Sequence, residues 1–280
     1  MEFIRETCQE LDLFGRILIA EEGINGTVSG VKDATAKFME RLHEHPVTRG
    51  MEVKIEESEG HAFKKLSVKL RDEIVTLGLP SEEDVDPNET TGKRLSPAEF
   101  LKALEEADEN TVILDGRNDY ESALGRFEGA ICPDVGNFRD FPEWIRENMG
   151  DLKDKKLLTY CTGGIRCEKL SGFLINEGFS DVSQLEGGII KYGQDEAAKG
   201  KHFEGKCYVF DSRVATESNF TDPSVIANCE RCGVSEDRYV NCGYAPCNKQ
   251  FFCCSSCEEK HGKFCSDECA EAAAHATADA

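Results

Sequence analysis

Cys161 is the residue best placed to do chemistry. It ends an apolar, β-prone run, Leu157–Tyr160, and is followed by Thr162, Gly163, Gly164, Ile165 and Arg166; a helical pattern then runs from Cys167 to Asn176. A cysteine in this setting sits at the bottom of a ring of backbone N–H groups beside a helix N-terminus, and both features stabilise an anion. A thiolate, or the terminal sulfur of a persulfide, is such an anion, so Cys161 is expected to have a lowered pKa and raised reactivity. Gly163 and Gly164 let the loop close with its N–H groups inward, and Arg166 adds fixed positive charge. Asp115 ends a neighbouring strand, so Asp115 and Arg117 could point into the same mouth. The simpler reading of Asp115 is a tie to the loop backbone; Arg117 either binds an anionic substrate or pairs with Glu121. Cys167 opens the following helix, as a resolving thiol or, more simply, as a small residue packed under the loop.

The second set of reactive side chains is a cysteine-rich tail. Nine of the 14 cysteines fall between Cys229 and Cys269, as Cys229-x2-Cys232, Cys242-x4-Cys247, Cys253-Cys254-x2-Cys257 and Cys265-x3-Cys269. The N-terminus lacks a signal peptide's charged start and apolar core, and no apolar run is long enough to cross a bilayer. Those features point to the cytoplasm, where such spacing argues for metal rather than disulfides. Four cysteine pairs suit two tetrahedral zinc sites of the closed, structural kind. One of Cys253 and Cys254 is then spare, and His261 is available to replace a ligand. The usual iron–sulfur runs are absent. The remaining histidines form no two-histidine, one-carboxylate pattern, and no nucleotide-cofactor motif is visible.

The net charge of −21 cuts against a simple nucleic-acid binder, which normally shows a basic balance. A local basic face can still sit on an acidic body. In Lys64–Arg71 the alternation places Lys65, Ser67, Lys69 and Arg71 on one strand face, either an RNA-contacting patch or an ordinary solvated face.

These residues need elements to hold them. The 280 residues suit two or three domains, and a hydrophobic fraction of 39% suffices for packed cores. Residues 1–90 read as an α+β unit: a helix over Phe3–Leu13, strands at Arg16–Glu21 and Ile24–Ser29, a helix over Asp33–His45, and strands at Glu52–Glu57 and Leu66–Thr76. That order is a ferredoxin-like fold without its first strand. On that reading the last strand loses a neighbour, and this domain is the least stable part of the chain. Pro80–Gly92 is polar, acidic and proline-bearing, and reads as a linker. Residues 91–205 open with the capping box Ser96-Pro97-Ala98-Glu99 and then alternate strand and helix. The expected elements are strands Thr111–Asp115, Gly129–Cys132, Lys156–Tyr160 and Val182–Leu185, with helices over Asn118–Leu124 and Phe141–Asn148. Such alternation means a parallel sheet covered on both faces, with Cys161 at a strand's C-terminal end, where these sheets place their sites. Residues 206–280 form the metal-binding tail, opening with a β-like run Cys207–Asp211; Ala270–Ala280 is expected to fray.

The loop Cys161–Arg166 resembles the active-site loop of rhodanese domains. The longer string Tyr160-Cys-Thr-Gly-Gly-Ile-Arg-Cys-Glu-Lys169 resembles the rhodanese-like family of tRNA uridine-34 hydroxylases, in its subtype with a cysteine-rich C-terminus. A second family string is Gly15-Arg-Ile-Leu-Ile-Ala-Glu-Glu-Gly-Ile-Asn-Gly-Thr-Val-Ser-Gly30, and a third is Asp115-Gly-Arg-Asn-Asp-Tyr-Glu121 with Gly129-Ala-Ile131 after it. The resemblance implies a rhodanese-like catalytic domain and oxidation of the tRNA wobble uridine to 5-hydroxyuridine. It further implies molecular oxygen as co-substrate, dependence on Cys161, and tRNA as partner, with a sulfur or electron donor open. The competing readings are a sulfurtransferase carrying a persulfide on Cys161, and a non-catalytic zinc-containing adaptor. Plain rhodaneses lack the Gly15–Gly30 string, and the intact Cys161 loop argues against the adaptor.

Overall fold

The computed structural model describes residues 1–278. The N-terminal unit consists of α1 (Glu2–Glu10), β1 (Phe14–Ala20), β2 (Gly23–Ser29), α2 (Lys32–Glu44) and β3 (Leu66–Leu70). β1 and β2 form an antiparallel hairpin turning at Glu21-Glu22. β3 lies on the other side of β1, parallel to it, with Ile17 opposite Val68. The order is therefore β2-β1-β3. The last strand does not lack a neighbour: the edge of β1 left free by the hairpin takes it. Ile17 is buried and Ile19, Ile24 and Val28 pack on the same core, with Ile4 and Cys8 of α1 and Phe38 and Leu42 of α2. The expected strand at Glu52–Glu57 is absent, because partners from the other two units satisfy that segment in place of a ladder. Past Leu70 the chain leaves the sheet, so Leu66–Thr76 is strand only in its first half.

The middle unit consists of β4 (Lys93–Leu95), α3 (Pro97–Glu105), β5 (Thr111–Asp115), α4 (Asp119–Ser122), β6 (Gly125–Phe127), α5 (Phe141–Asn148), β7 (Lys156–Tyr160), α6 (Ile165–Asn176), β8 (Asp181–Leu185), α7 (Gly188–Gln194) and β9 (Phe203–Gly205). Four parallel strands lie in the order β4-β8-β7-β5. The capping box forms: Ser96 accepts from the Glu99 N–H, and Glu99 reaches back to the Ser96 N–H. Both faces of the sheet are covered, as its apolar run requires. Leu157 packs with Phe141 and Ile145 of α5 and Leu170, Phe173 and Leu174 of α6. Leu158 and Tyr160, pointing the other way, pack with Phe100 and Leu101 of α3 and Ile189 and Tyr192 of α7. β7 is interior, so Cys161 leaves the sheet between two parallel neighbours. The expected strand at Gly129–Cys132 reduces to one parallel bridge between Ile131 and Leu114, because Gly129 turns the chain at φ +71°.

Pro80–Gly92 is not a free linker. Val85 is buried in the core beneath α6, and Ser171 Oγ accepts the Gly92 N–H at 2.7 Å. The tail holds β10 (Cys207–Tyr208) paired with β11 (Ala215–Thr216), β12 (Tyr239–Asn241) paired with β13 (Gln250–Phe252), α8 (Ser255–His261) and α9 (Asp267–Ala278). Residues 270–278, read as a fraying end, belong to α9; Asp279 and Ala280 lie outside the described residues. Tyr239 Oη donates to the Tyr120 carbonyl, which fastens the tail to α4.

The N-terminal and middle units are joined by a charge cluster. Lys169 of α6 has no exposed side-chain surface, and its Nζ lies 3.2 Å from Glu22, 2.7 Å from Glu73 and 3.2 Å from Asp84. Burial disfavours the ammonium, but Glu73 and Glu22 outweigh this and raise its pKa. Lys169→Met leaves two largely covered carboxylates without their cation. By the cost of breaking a buried pair we expect a loss of about 3 kcal/mol, read by urea denaturation, with proteolysis between residues 20 and 90 accelerated.

Candidate active site

β7 delivers Cys161 to the floor of the loop 161–166, where the residue is 1% exposed. Gly164 takes φ +97°, a conformation costly for any residue with a side chain, and this aims its N–H at Cys161 Sγ, 3.1 Å away. The N-terminal turn of α7 closes the loop from below. Ile189 and Ile190 donate their N–H groups to the carbonyls of Cys161 and Thr162 at 3.0 and 3.2 Å. That approach requires glycine at 188, where a Cβ would stand 2.5 Å from the Cys161 oxygen.

The sulfur's charge state follows from its neighbours. Burial alone raises a thiol. Here the Cys167 thiol, the Arg166 charge and the N–H groups of Cys167 and Gly164 outweigh burial and hold Cys161 well below the ordinary thiol value. Cys167 is fully buried under the loop and moves the opposite way, pushed up by burial and by the Cys161 charge. It packs under the loop with its sulfur against Thr159 Oγ1, and its thiol is the largest influence lowering Cys161. Arg166 is fixed by a bidentate pair with Glu121, at 2.6 and 2.8 Å, and touches Thr162 Oγ1 at 3.3 Å. Glu121 is fully buried, and the charges of Arg166 and Arg117 keep it ionised despite that burial. Ile165 begins α6.

Asp115 and Arg117 do not face the mouth. Both are completely buried in a bidentate pair, Nε to Oδ1 at 2.8 Å and Nη2 to Oδ2 at 2.6 Å. Tyr160 Oη donates to the same carboxylate at 2.8 Å, and Arg117 also donates to the Gly125 carbonyl. Arg117 is thus not paired with Glu121. The pair braces the strand ends around Cys161, with the guanidinium over the rings of Tyr160 and Phe203.

The tail brings eight of its nine late cysteines into two sets, Cys229/Cys232/Cys254/Cys257 and Cys242/Cys247/Cys265/Cys269, each with all four sulfurs within 4.8 Å of one another. Cys232 and Cys254 are 3.7 Å apart, and Cys265 lies 3.6 Å from both Cys247 and Cys269. A tetrahedral ion with metal–sulfur bonds of about 2.3 Å needs sulfurs about 3.8 Å apart, so both sets fit one. Cys253, one of the two candidates for the spare position, lies in neither set; it is fully buried and points at the Cys254 carbonyl. His261 is likewise outside both. The basic residues Lys65, Lys69 and Arg71 are exposed along β3 and its end, opposite buried Val68.

Three family models match in order: a UPF0176 acylphosphatase-like domain at residues 1–74, a rhodanese-like domain at 96–195 and a rhodanese C-terminal domain at 204–270. The tRNA uridine(34) hydroxylase of Staphylococcus haemolyticus is 52% identical over 95% of this chain and 82% of its own length. That of Bacillus licheniformis is 52% identical over 94% and 80%. The chain belongs to the tRNA uridine(34) hydroxylase family. A solved rhodanese-like domain from Anabaena is 20% identical, covers 47% of this chain and 91% of its own, and has a TM-score of 0.35.

Within this hydroxylase-family chain, the two long strings that carry the resemblance meet in space: Glu22 of the first pairs with Lys169 of the second. Sequence reasoning missed that contact, the Glu121–Arg166 pair and Lys54, whose ammonium donates to the Gly163 carbonyl at 2.5 Å. The acid four residues past Arg117 was a usable signal for Glu121. No signal pointed to Lys54, which is 109 residues from its partner. A pH titration tests the electrostatics. The difference in 240-nm absorbance between the native chain and Cys161→Ser should give a midpoint below the usual ~8.5 of a free thiol. The thiolate therefore persists as the pH falls through neutrality. Cys8 and Cys132 stay silent there, since burial pushes both up to about 11. Cys167→Ala, which removes a donor, should move the midpoint upward.

Proposed function

We propose that this chain hydroxylates the wobble uridine of tRNA, position 34, to 5-hydroxyuridine, at a site built on Cys161. The observation that carries this reading is the 52% identity, over nearly the whole chain, with relatives named for that activity. The geometry is compatible: a buried sulfur accepts the Gly164 N–H and lies beside Arg166, which Glu121 braces. Residues 1–90 help to hold the RNA, residues 91–205 carry the reacting sulfur, and residues 206–280 form the metal module. Lys65, Lys69 and Arg71 are the side chains we assign to phosphate contact. Molecular oxygen is the co-substrate implied by the family, with an electron or sulfur donor supplied from outside the chain. Among the described residues no helix is long and apolar enough to cross a membrane, and we place the enzyme in the cytoplasm with its tRNA.

Zinc is the ion we assign to both four-cysteine sets. Four thiolates and no open position make closed structural sites, and the ion's contribution is to fold a tail that has only a small core of its own.

Nucleoside mass spectrometry of tRNA from a strain lacking the gene, complemented by native chain or by Cys161→Ser, tests the activity. Native chain should restore 5-hydroxyuridine. The serine variant, nearly isosteric but a poor nucleophile, should lose activity by at least about 100-fold. Restoration by the serine variant would remove Cys161 from the reaction; a thiolated nucleoside in place of the hydroxylated one would favour sulfur transfer. Elemental analysis of purified protein should give about two zinc ions per chain. Chelation should melt the tail while the middle unit remains folded.

A further inference from the structure

The segment 52–57 runs as an extended strap from the N-terminal unit over the other two. By strand alternation Glu52, Lys54 and Glu56 share a face, and each finds a partner outside its own unit. Glu52 pairs with Lys191 of α7 at 2.8 Å, and Glu56 pairs with Arg213 of the tail at 3.1 Å. Gln194 Nε2 donates to the Ile55 carbonyl at 3.3 Å. Between these anchors, Lys54 Nζ donates to the Gly163 carbonyl at 2.5 Å.

That carbonyl has a particular place in the loop. The Gly163 C=O and the Gly164 N–H belong to one peptide group, and the N–H end is the donor to Cys161 Sγ at 3.1 Å. A trans peptide points its C=O and N–H in opposite directions, so whatever fixes the oxygen fixes the aim of the N–H. Glycine on both sides leaves this peptide the freest in the loop to rotate. We propose that Lys54 is a positioning residue for Cys161: its ammonium grips the Gly163 oxygen and so keeps the Gly164 N–H on the reactive sulfur.

Two effects follow from one contact. The peptide cannot flip without breaking a charge-assisted hydrogen bond. The ammonium also polarises the peptide, which strengthens the N–H···S bond at its other end. The charged and titratable groups facing the sulfur are Arg166 and Cys167 of α6 and Lys54 of the strap. Those facing Lys54 are Glu52 beside it, Lys191 of α7 and Glu186 before α7. The proposal rests on reading Cys161 as the reacting sulfur, but not on hydroxylation itself.

The test uses the full chain. The Cys161 midpoint is read by 240-nm difference titration, each variant against the same variant carrying Cys161→Ser. Lys54→Met is expected to raise the midpoint and cut the thiolate fraction at pH 6 by about threefold or more. Lys54→Arg, which keeps charge and donors, should return most of it. Glu56→Gln, which loosens one anchor of the strap at Arg213 but keeps the ammonium, should shift the midpoint by much less than Lys54→Met. An unchanged midpoint in Lys54→Met overturns the proposal. So does a Lys54→Arg chain as shifted as Lys54→Met, or a Glu56→Gln shift of equal size, which would assign the effect to the strap's position. A chain that forms no 5-hydroxyuridine yet shows the expected pattern would sink the proposed function and leave the role of Lys54 standing.

Discussion

The architecture depends on keeping one negative sulfur inside a protein. Burial opposes the thiolate, and each nearby element supplies part of the answer. β7 sets the depth of Cys161, and α6 contributes Arg166, the Cys167 thiol and the Cys167 N–H. α7 ties down the loop's outward carbonyls. The positive charge that helps the sulfur is itself buried, so it needs Glu121, whose bidentate contact sets the guanidinium's orientation. Deeper still, the Asp115–Arg117 ion pair and the Tyr160 hydroxyl that donates to it brace the strand ends. Charge is thus compensated in pairs, each pair placing the next. Removing one partner of such a pair costs more than the pair contributes when intact.

The same logic joins the units. Lys169 stands one turn below the loop on α6 and gathers Glu22 from the hairpin turn, Glu73 from beyond β3 and Asp84 from the following segment. The helix that opens at the Cys161 loop is therefore also the helix on which the N-terminal unit is registered. A shift of that unit would act on α6 through Lys169 and on the loop through the strap. The N-terminal unit is thus held to the middle unit at two separate places, the ion cluster at Lys169 and the strap at Lys191 and Gly163.

The parts legible in the sequence were those whose determinants are local. β7 and α5 fall on the expected residues, and the Ser96 capping box forms, because an apolar run and a helix cap are decided within a few residues. The cysteine spacing that gathers into two sets of four was legible for the same reason, although the choice between Cys253 and Cys254 was not: only the fold shows that Cys253 turns inward beside Phe251. What failed was decided at a distance. Residues 52–57 alternate as a strand does, but their charged face meets Lys191 and Arg213 rather than a neighbouring ladder. Pro80–Gly92 has a linker's composition, yet Val85 and the Gly92 N–H are both buried against α6. Arg117 and Arg166 could not be told apart by sequence position, because their roles depend on which acid each one meets.

The two four-cysteine sets are interleaved along the chain: the first and third pairs make one set, the second and fourth the other. This has a consequence for the order of events during synthesis. When Cys242 and Cys247 emerge from the ribosome, they lie inside a loop whose own closure awaits Cys254 and Cys257. The second set is completed only by Cys269, after Cys257 has already completed the first. Neither set can be finished before the other has contributed its first pair. The hairpin of β12 and β13 supplies the second set's first pair and is spanned by the first set, so a nascent chain stopped before Cys254 holds only unpaired thiols. The loop at Cys161 is therefore made before either set can close, and assembly of the tail follows that of the middle unit.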